Sequence, residues 1–139
     1  YLTPDQNFSL AKKKFFSTKY EEANLRNGPG TNHLILYKIL QKGYPVYVVE
    51  EFENWKRITD YKNRSGWIAN SQLSKATYGI ILENNSILFK FPTTQSKQIA
   101  FLQEDVTFQI IDCKFYWCKI NLKGFTGWVE TKNFWGSKD

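Results

Sequence analysis

Two cysteines and a single histidine are the most reactive side chains in this 139-residue chain. Cys113 and Cys118 are separated by Lys114-Phe115-Tyr116-Trp117, a spacing that suits two β-strands folding back on each other. A tight turn at Phe115-Tyr116 puts the cysteines on facing positions, close enough to bridge if the strict dihedral requirements are met. An even, facing pair fits an oxidising compartment, and a disulfide is the expectation. Two reduced, half-buried thiols and an easily reduced redox pair are the alternatives. A cysteine nucleophile needs a base beside it, and His33 sits far away, after a Gly-Pro-Gly loop. Two Cys and one distant His do not close a four-ligand zinc site. Gly-x-Ser-x-Gly, His-Glu-x-x-His and phosphate-loop patterns do not occur. Glu21/Glu22 and Glu50/Glu51 are neighbours on strand-like segments, so their side chains diverge. No enzyme activity, metal or cofactor is expected.

The stretches that must position these residues come in two copies. Val46 to Ala69 reads as a hairpin followed by a short third strand, and Val106 to Glu130 repeats the pattern. Trp55 answers to Trp117, Ile58 to Ile120, and Gly66-Trp67-Ile68 to Gly127-Trp128-Val129. With a two-residue turn at Glu53-Asn54, Val49 faces Ile58, Glu50 faces Arg57 and Glu51 faces Lys56. In the second copy Ile111 meets Ile120, Asp112 meets Lys119, and Cys113 meets Cys118. Side chains alternate along a strand, so Val49/Ile58 reads as core and Glu50/Arg57 as a solvated ion pair. Trp55 and Trp117 then share the Glu50/Arg57 face.

Around each hairpin the elements are short. The first copy opens with a strand at Ala23–Arg26, broken by Asn27-Gly28-Pro29-Gly30, because Pro lacks the donor and Gly permits positive φ. Strands at 35–40 and 45–52 follow. Pro45 opens the second of them, where a strand tolerates proline. A polar turn at 62–66 leads to a closing strand and a tight helical turn at 70–73. The second copy runs through strands at 78–82, 87–90, 98–102 and 105–113, with Phe91-Pro92-Thr93-Thr94 in place of the glycine-rich loop. The expectation is an all-β chain. An irregular leader over 1–17, where Lys12-Lys13-Lys14 precede Phe15-Phe16, comes before barrels over 18–75 and 76–139. Units this small are marginal alone, so the two should pack together.

The net charge is +6, from 19 basic and 13 acidic residues, and the excess is dispersed. It suits adhesion to an anionic surface and falls short of a nucleic-acid-binding stripe. No apolar run approaches the roughly 20 residues that span a bilayer. The chain begins at Tyr1 rather than Met, which is compatible with a removed export signal. Export to the periplasm, the cell surface or the medium is expected.

The run Asn24-Leu25-Arg26-x-Gly28-Pro29-Gly30, then Trp55-Lys56-Arg57-Ile58, then Gly66-Trp67-Ile68 resembles a bacterial Src-homology-3-like domain. Trp117-Cys118-Lys119-Ile120, Gly127-Trp128-Val129 and Phe134-Trp135-Gly136 resemble a degenerate second one. The arrangement resembles the tandem SH3-like proteins of alphaproteobacteria. The resemblance implies two small, strongly bent β-barrels, exported, that bind peptides or cell-wall material. Such domains often accompany a hydrolase domain, and none is encoded here. In Src-homology-3 domains the tryptophan after this hairpin turn lines an aromatic peptide groove. By resemblance Trp55, with Tyr37, Tyr61 and His33, lines one here, and Arg57 and Lys56 complement acidic groups. Trp55 and Trp117 can instead cover a barrel end or fill the contact between copies. The implied function is binding of a peptide-bearing envelope component such as peptidoglycan. The alternative is an adaptor for a protein partner, including one in a host cell, which predicts a contiguous exposed apolar patch.

Overall fold

The computed structural model describes residues 13–138. Lys12 and the rest of the expected leader before it lie outside the described residues. The first sheet is built from β1 (Phe15–Thr18), β2 (Ala23–Arg26), β3 (Ile35–Ile39), β4 (Pro45–Phe52), β5 (Trp55–Thr59), β6 (Ser65–Ala69) and β7 (Leu73–Ser74). The second follows with β8 (Tyr78–Ile81), β9 (Ser86–Phe89), β10 (Gln98–Leu102), β11 (Thr107–Lys114), β12 (Trp117–Leu122), β13 (Phe125–Glu130) and β14 (Phe134–Gly136). A 3-10 turn precedes the last strand of each sheet, at Asn70–Gln72 and Thr131–Asn133. The chain is all-β, in two tandem SH3-like units.

The strand orders, β3-β2-β6-β5-β4-β1-β7 and β10-β9-β13-β12-β11-β8-β14, are the same order displaced by seven strands. Duplication is therefore visible in topology as well as in sequence. The repeat begins earlier than the patterning suggests. Phe15–Ser17, read as the end of an irregular leader, pair with Tyr47–Pro45 of β4, and Ser17–Thr18 pair with β7. Four residues without apolar alternation give no strand signal by themselves, and β4 supplies the order.

The hairpin register needs one correction, and it is the same in both copies. Val48, not Val49, faces Ile58, and Ile110, not Ile111, faces Ile120. Beyond that point the pairs are as expected: Glu50 with Arg57, Glu51 with Lys56, Asp112 with Lys119, Cys113 with Cys118. One residue in each long strand is a bulge, and a bulge slips the register by one and bends the strand. The displaced residues turn outward, Val49 to 43% exposure and Ile111 to 51%. Charge pairing differs between the copies. Arg57 Nε lies 2.9 Å from Glu50 Oε1 and Lys56 Nζ 2.7 Å from Glu51 Oε1. In the second copy the Glu51/Lys56 place is taken by a Cys113–Cys118 disulfide.

That bridge closes a short loop, the cysteines being five apart in sequence. Loop-closure entropy for such a ring gives a stabilisation of about 2 kcal/mol. Denaturant melts with and without reductant should differ by roughly that amount, and a difference of about 4 kcal/mol or more would contradict the chain-entropy account.

Each sheet wraps its own core. Ala23, Leu25, Ile39, Val46, Val48, Ile58 and Ile68 fill the first, and Leu88, Leu102, Phe108, Ile120, Val129 and Phe134 fill the second. The units also share surface. Ile80, on β8 of the second sheet, is packed in the first core. Trp135 meets Phe15 edge-on at 5.2 Å. Gln41 Nε2 donates to Asp105 O and to Thr107 Oγ1, and the Tyr61 hydroxyl bonds Asp105. Gly43, at φ 77°, lies under Tyr78, whose ring would be 2.7 Å from an added Cβ. No helix among the described residues is long and apolar enough to cross a membrane.

Candidate functional site

Alternation along β5 puts Ile58 in the core and turns Trp55 and Arg57 to the opposite face. Across the ladder Trp55 pairs with Ala69, Arg57 with Trp67, and Trp67 in turn with Arg26. Paired residues project from the same face, so Arg26, Trp67, Arg57 and Trp55 share one surface. Half-buried Trp55 forms a wall of a groove of about 380 Å³ that also includes Asn24, Arg26, Thr31, Ala69 and Gln72. The loop after β2 is held closed from inside. Arg26 donates from one guanidinium nitrogen to the carbonyls of Thr31 and His33, both at 3.0 Å. The His33 ring folds back over Gly28, where an added Cβ would come within 2.5 Å of it. A side chain at position 28 would have to displace that exposed ring.

The groove's polar groups are unevenly satisfied. Glu22 at its rim is paired with Lys38 at 3.0 Å. Asn24 Oδ1 is buried and has no hydrogen-bond partner among the described residues. A buried acceptor without a donor is costly, and this one lies on a residue that lines the groove. Aromatic area from Trp55 and a cation at Arg26 together suit an extended chain with apolar and carboxylate groups.

The structure does not bring all five expected residues together. Trp55 lines the groove, and Arg57 shares its face but is occupied by Glu50. His33 is spent on the loop. Tyr37 lies elsewhere, its ring 5.6 Å from the Arg64 guanidinium. Tyr61 lines a separate cavity of about 200 Å³ between the units, with Tyr44, Arg64, Ile80 and Asp105. Lys56 points to Glu51 and Asn70. Sequence reading overlooked Asn24, Arg26 and Gln72. The signal was available for the first two: they flank core-facing Leu25, so alternation turns both outward.

The second copy has a corresponding groove of about 420 Å³ beside Trp117, with Pro92, Thr93, Tyr116, Glu130 and Lys132. The lining residues of each groove belong to one unit only, so neither groove lies at the contact between copies. Phe89 stands where the first copy has Arg26, meeting Trp117 edge-on at 5.5 Å. The second groove therefore has no cation at the Arg26 position, and its own, Lys132, is paired with Glu130 at 3.6 Å.

A family model described as bacterial SH3 domain matches the chain twice, over residues 19–75 and 83–136. Among solved structures, NlpC2 from Trichomonas vaginalis aligns at 13% identity and a TM-score of 0.40, covering 89% of this chain and 48% of that one. NlpC1 from the same organism aligns at 12% identity and a TM-score of 0.38, covering 88% and 45%. An NlpC/P60 family protein from Bacillus cereus ATCC 10987 aligns at 11% identity and a TM-score of 0.39, covering 89% and 56%. The chain thus spans about half the length of the solved structures it matches. No curated protein matches it.

Proposed function

The chain belongs to the bacterial SH3 domain family, and from that premise we propose that it is a non-enzymatic binding module for a peptide-bearing component of the cell envelope, such as peptidoglycan. The observation that carries this reading is the convergence of Trp55 and Arg26 on one groove. Peptide chains supply apolar side chains for the indole and carboxylates for the guanidinium. The Cys113–Cys118 disulfide accords with an exported protein, because such bridges persist in oxidising compartments.

Co-sedimentation with insoluble peptidoglycan sacculi at low and moderate salt tests the reading, with Trp55→Ala alongside. Binding that survives salt and weakens by about 2 kcal/mol or more in the variant is expected, the usual loss for a central aromatic anchor. Binding that vanishes with salt in both proteins would reduce the interaction to a basic protein on an anionic polymer.

A second reading, an adaptor for a protein partner, is favoured by one observation. Leu34, Ile35, Leu36, Tyr37 and Leu40 form an apolar run on and beside edge strand β3, exposed by 38% to 75%. No sedimentation under any condition would leave that strip as the better candidate.

A further inference from the structure

The two copies act as internal controls for each other, and one charge cluster appears only in the second. Lys90, Lys97 and Lys119 line a cleft of about 530 Å³ with Phe91, Ile99 and Trp128. Lys114 adds a fourth ammonium, 5.3 Å from the centre of the Trp128 ring. The corresponding positions follow from shared hydrogen bonds. Asn27 N donates to Leu34 O as Lys90 N donates to Lys97 O, and Arg57 pairs with Trp67 as Lys119 pairs with Trp128. Phe52, opposite Trp55, corresponds to Lys114, opposite Trp117. The first copy thus builds the same sheet with Asn27, Leu34 and Phe52, and with an Arg57 that is neutralised by Glu50 at 2.9 Å. The fold does not require these lysines.

Among the described residues none of Lys90, Lys97, Lys114 and Lys119 has a salt-bridge partner. Asp112 faces Lys119 across the ladder. Like charges gathered over a cleft raise its potential and draw in anions. The apolar groups narrow the choice of anion. Trp128 and Phe91 each already have an ammonium near the ring, Lys114 on the first and Lys90 at 5.6 Å on the second. A sugar or nucleobase would compete with those ammoniums for the ring faces, whereas a carboxylate gains from them. Ile99 and the exposed Phe91 edge offer contact to aliphatic side chains.

We infer that this cleft is a second binding site, specific to the second copy, for an acidic protein segment carrying alternating carboxylate and aliphatic side chains. It is separate from the Trp55 groove and does not depend on what that groove binds. Isothermal titration of the full chain tests it, using a synthetic peptide of about eight residues, one strand's length, in which Glu alternates with Leu. The comparison ligands are the same peptide with Gln for Glu and inorganic polyphosphate of matched charge. The Glu-Leu peptide is expected to bind, and the Gln peptide is not. Lys90→Glu with Lys97→Glu, both on exposed loop positions, should weaken the complex about tenfold or more, while Trp55→Ala leaves it unchanged. Equal or tighter binding of polyphosphate would overturn the assignment in favour of general anion attraction. An unaffected lysine variant, a loss with Trp55→Ala, or no binding of the Glu-Leu peptide would each overturn the site itself.

Discussion

Asp60→Ala is expected to destabilise the protein by about 3 kcal/mol or more, because it removes the acceptor shared by a buried hydroxyl and two turn amides. The side chain of Asp60 is fully buried, and its partner Arg64 is about one-third exposed. The carboxylate accepts from the Tyr44 hydroxyl at 2.8 Å, the Lys62 amide at 3.0 Å, the Arg64 amide at 2.9 Å and Arg64 Nε at 2.9 Å. Alanine leaves a buried tyrosine hydroxyl and two turn amides without an acceptor, and each orphaned group costs about 1–3 kcal/mol. Denaturant titration should show a lowered midpoint with an unchanged slope. A loss under about 1 kcal/mol would mean that water replaces the carboxylate without cost.

The same network gives the variant a pH signature. Burial alone would raise the Asp60 carboxyl, but the Arg64 amide, the Tyr44 hydroxyl and the Arg64 guanidinium outweigh it and hold it below its ordinary value. A depressed carboxyl contributes stability that is fully present above its unfolded value, about 3.9. That contribution is lost as pH falls through the lower folded value. Asp60→Asn should therefore remove part of the acid slope of stability while keeping one acceptor in place. Tyr44 moves the other way. Burial first, then Asp60, pushes its hydroxyl above the ordinary tyrosine range, so it stays a donor beyond the pH at which an ordinary tyrosine ionises. Its contribution is present below about 10 and is lost only as pH rises toward the raised folded value.

Asp60 also illustrates what sequence alone conveys. The turn it begins is readable from Lys62-Asn63-Arg64-Ser65-Gly66, but nothing local says that Tyr44 reaches it from the connection before β4. Features with a local cause were legible. The duplication showed in Trp55/Trp117 and Gly66/Gly127, and the facing cysteines in the length of their turn. The bulges were not legible, because Val48-Val49 and Ile110-Ile111 offer two adjacent apolar β-branched residues each. A period of two cannot choose between them, and a backbone bulge decides. The grouping of Tyr37 and Tyr61 with Trp55 failed for a related reason: the way a small barrel curls is a property of the whole sheet. Tyr61 went to the contact between units and Tyr37 to Arg64. Arg26, the cation in the groove, is legible only through alternation: it follows core-facing Leu25, which turns it outward.

Ile80→Ala should cost about 2–5 kcal/mol, and the unusual part is where the cost appears. Ile80 and Ile81 are neighbours on β8, both fully buried. Because strand side chains alternate, Ile80 packs with Val46, Ile58 and Ile68 in the first core, and Ile81 packs with Phe108, Ile120 and Phe134 in the second. One strand thus feeds two cores, and its pairing partners β11 and β14 belong to the second sheet only. Hydrogen exchange should report Ile80→Ala as lost protection in β4 and β5, the far side of the contact. Ile81→Ala, the same chemical deletion one residue on, should loosen β11 and β12 instead. If Ile80→Ala loosened only the second sheet, the first core would be independent of β8 and the units merely adjacent. If the exchange moves as expected, the first unit is incomplete without a residue from the second. A truncation after Ser74 would then expose Val46 and Ile58 to solvent on one side and fold poorly for that reason.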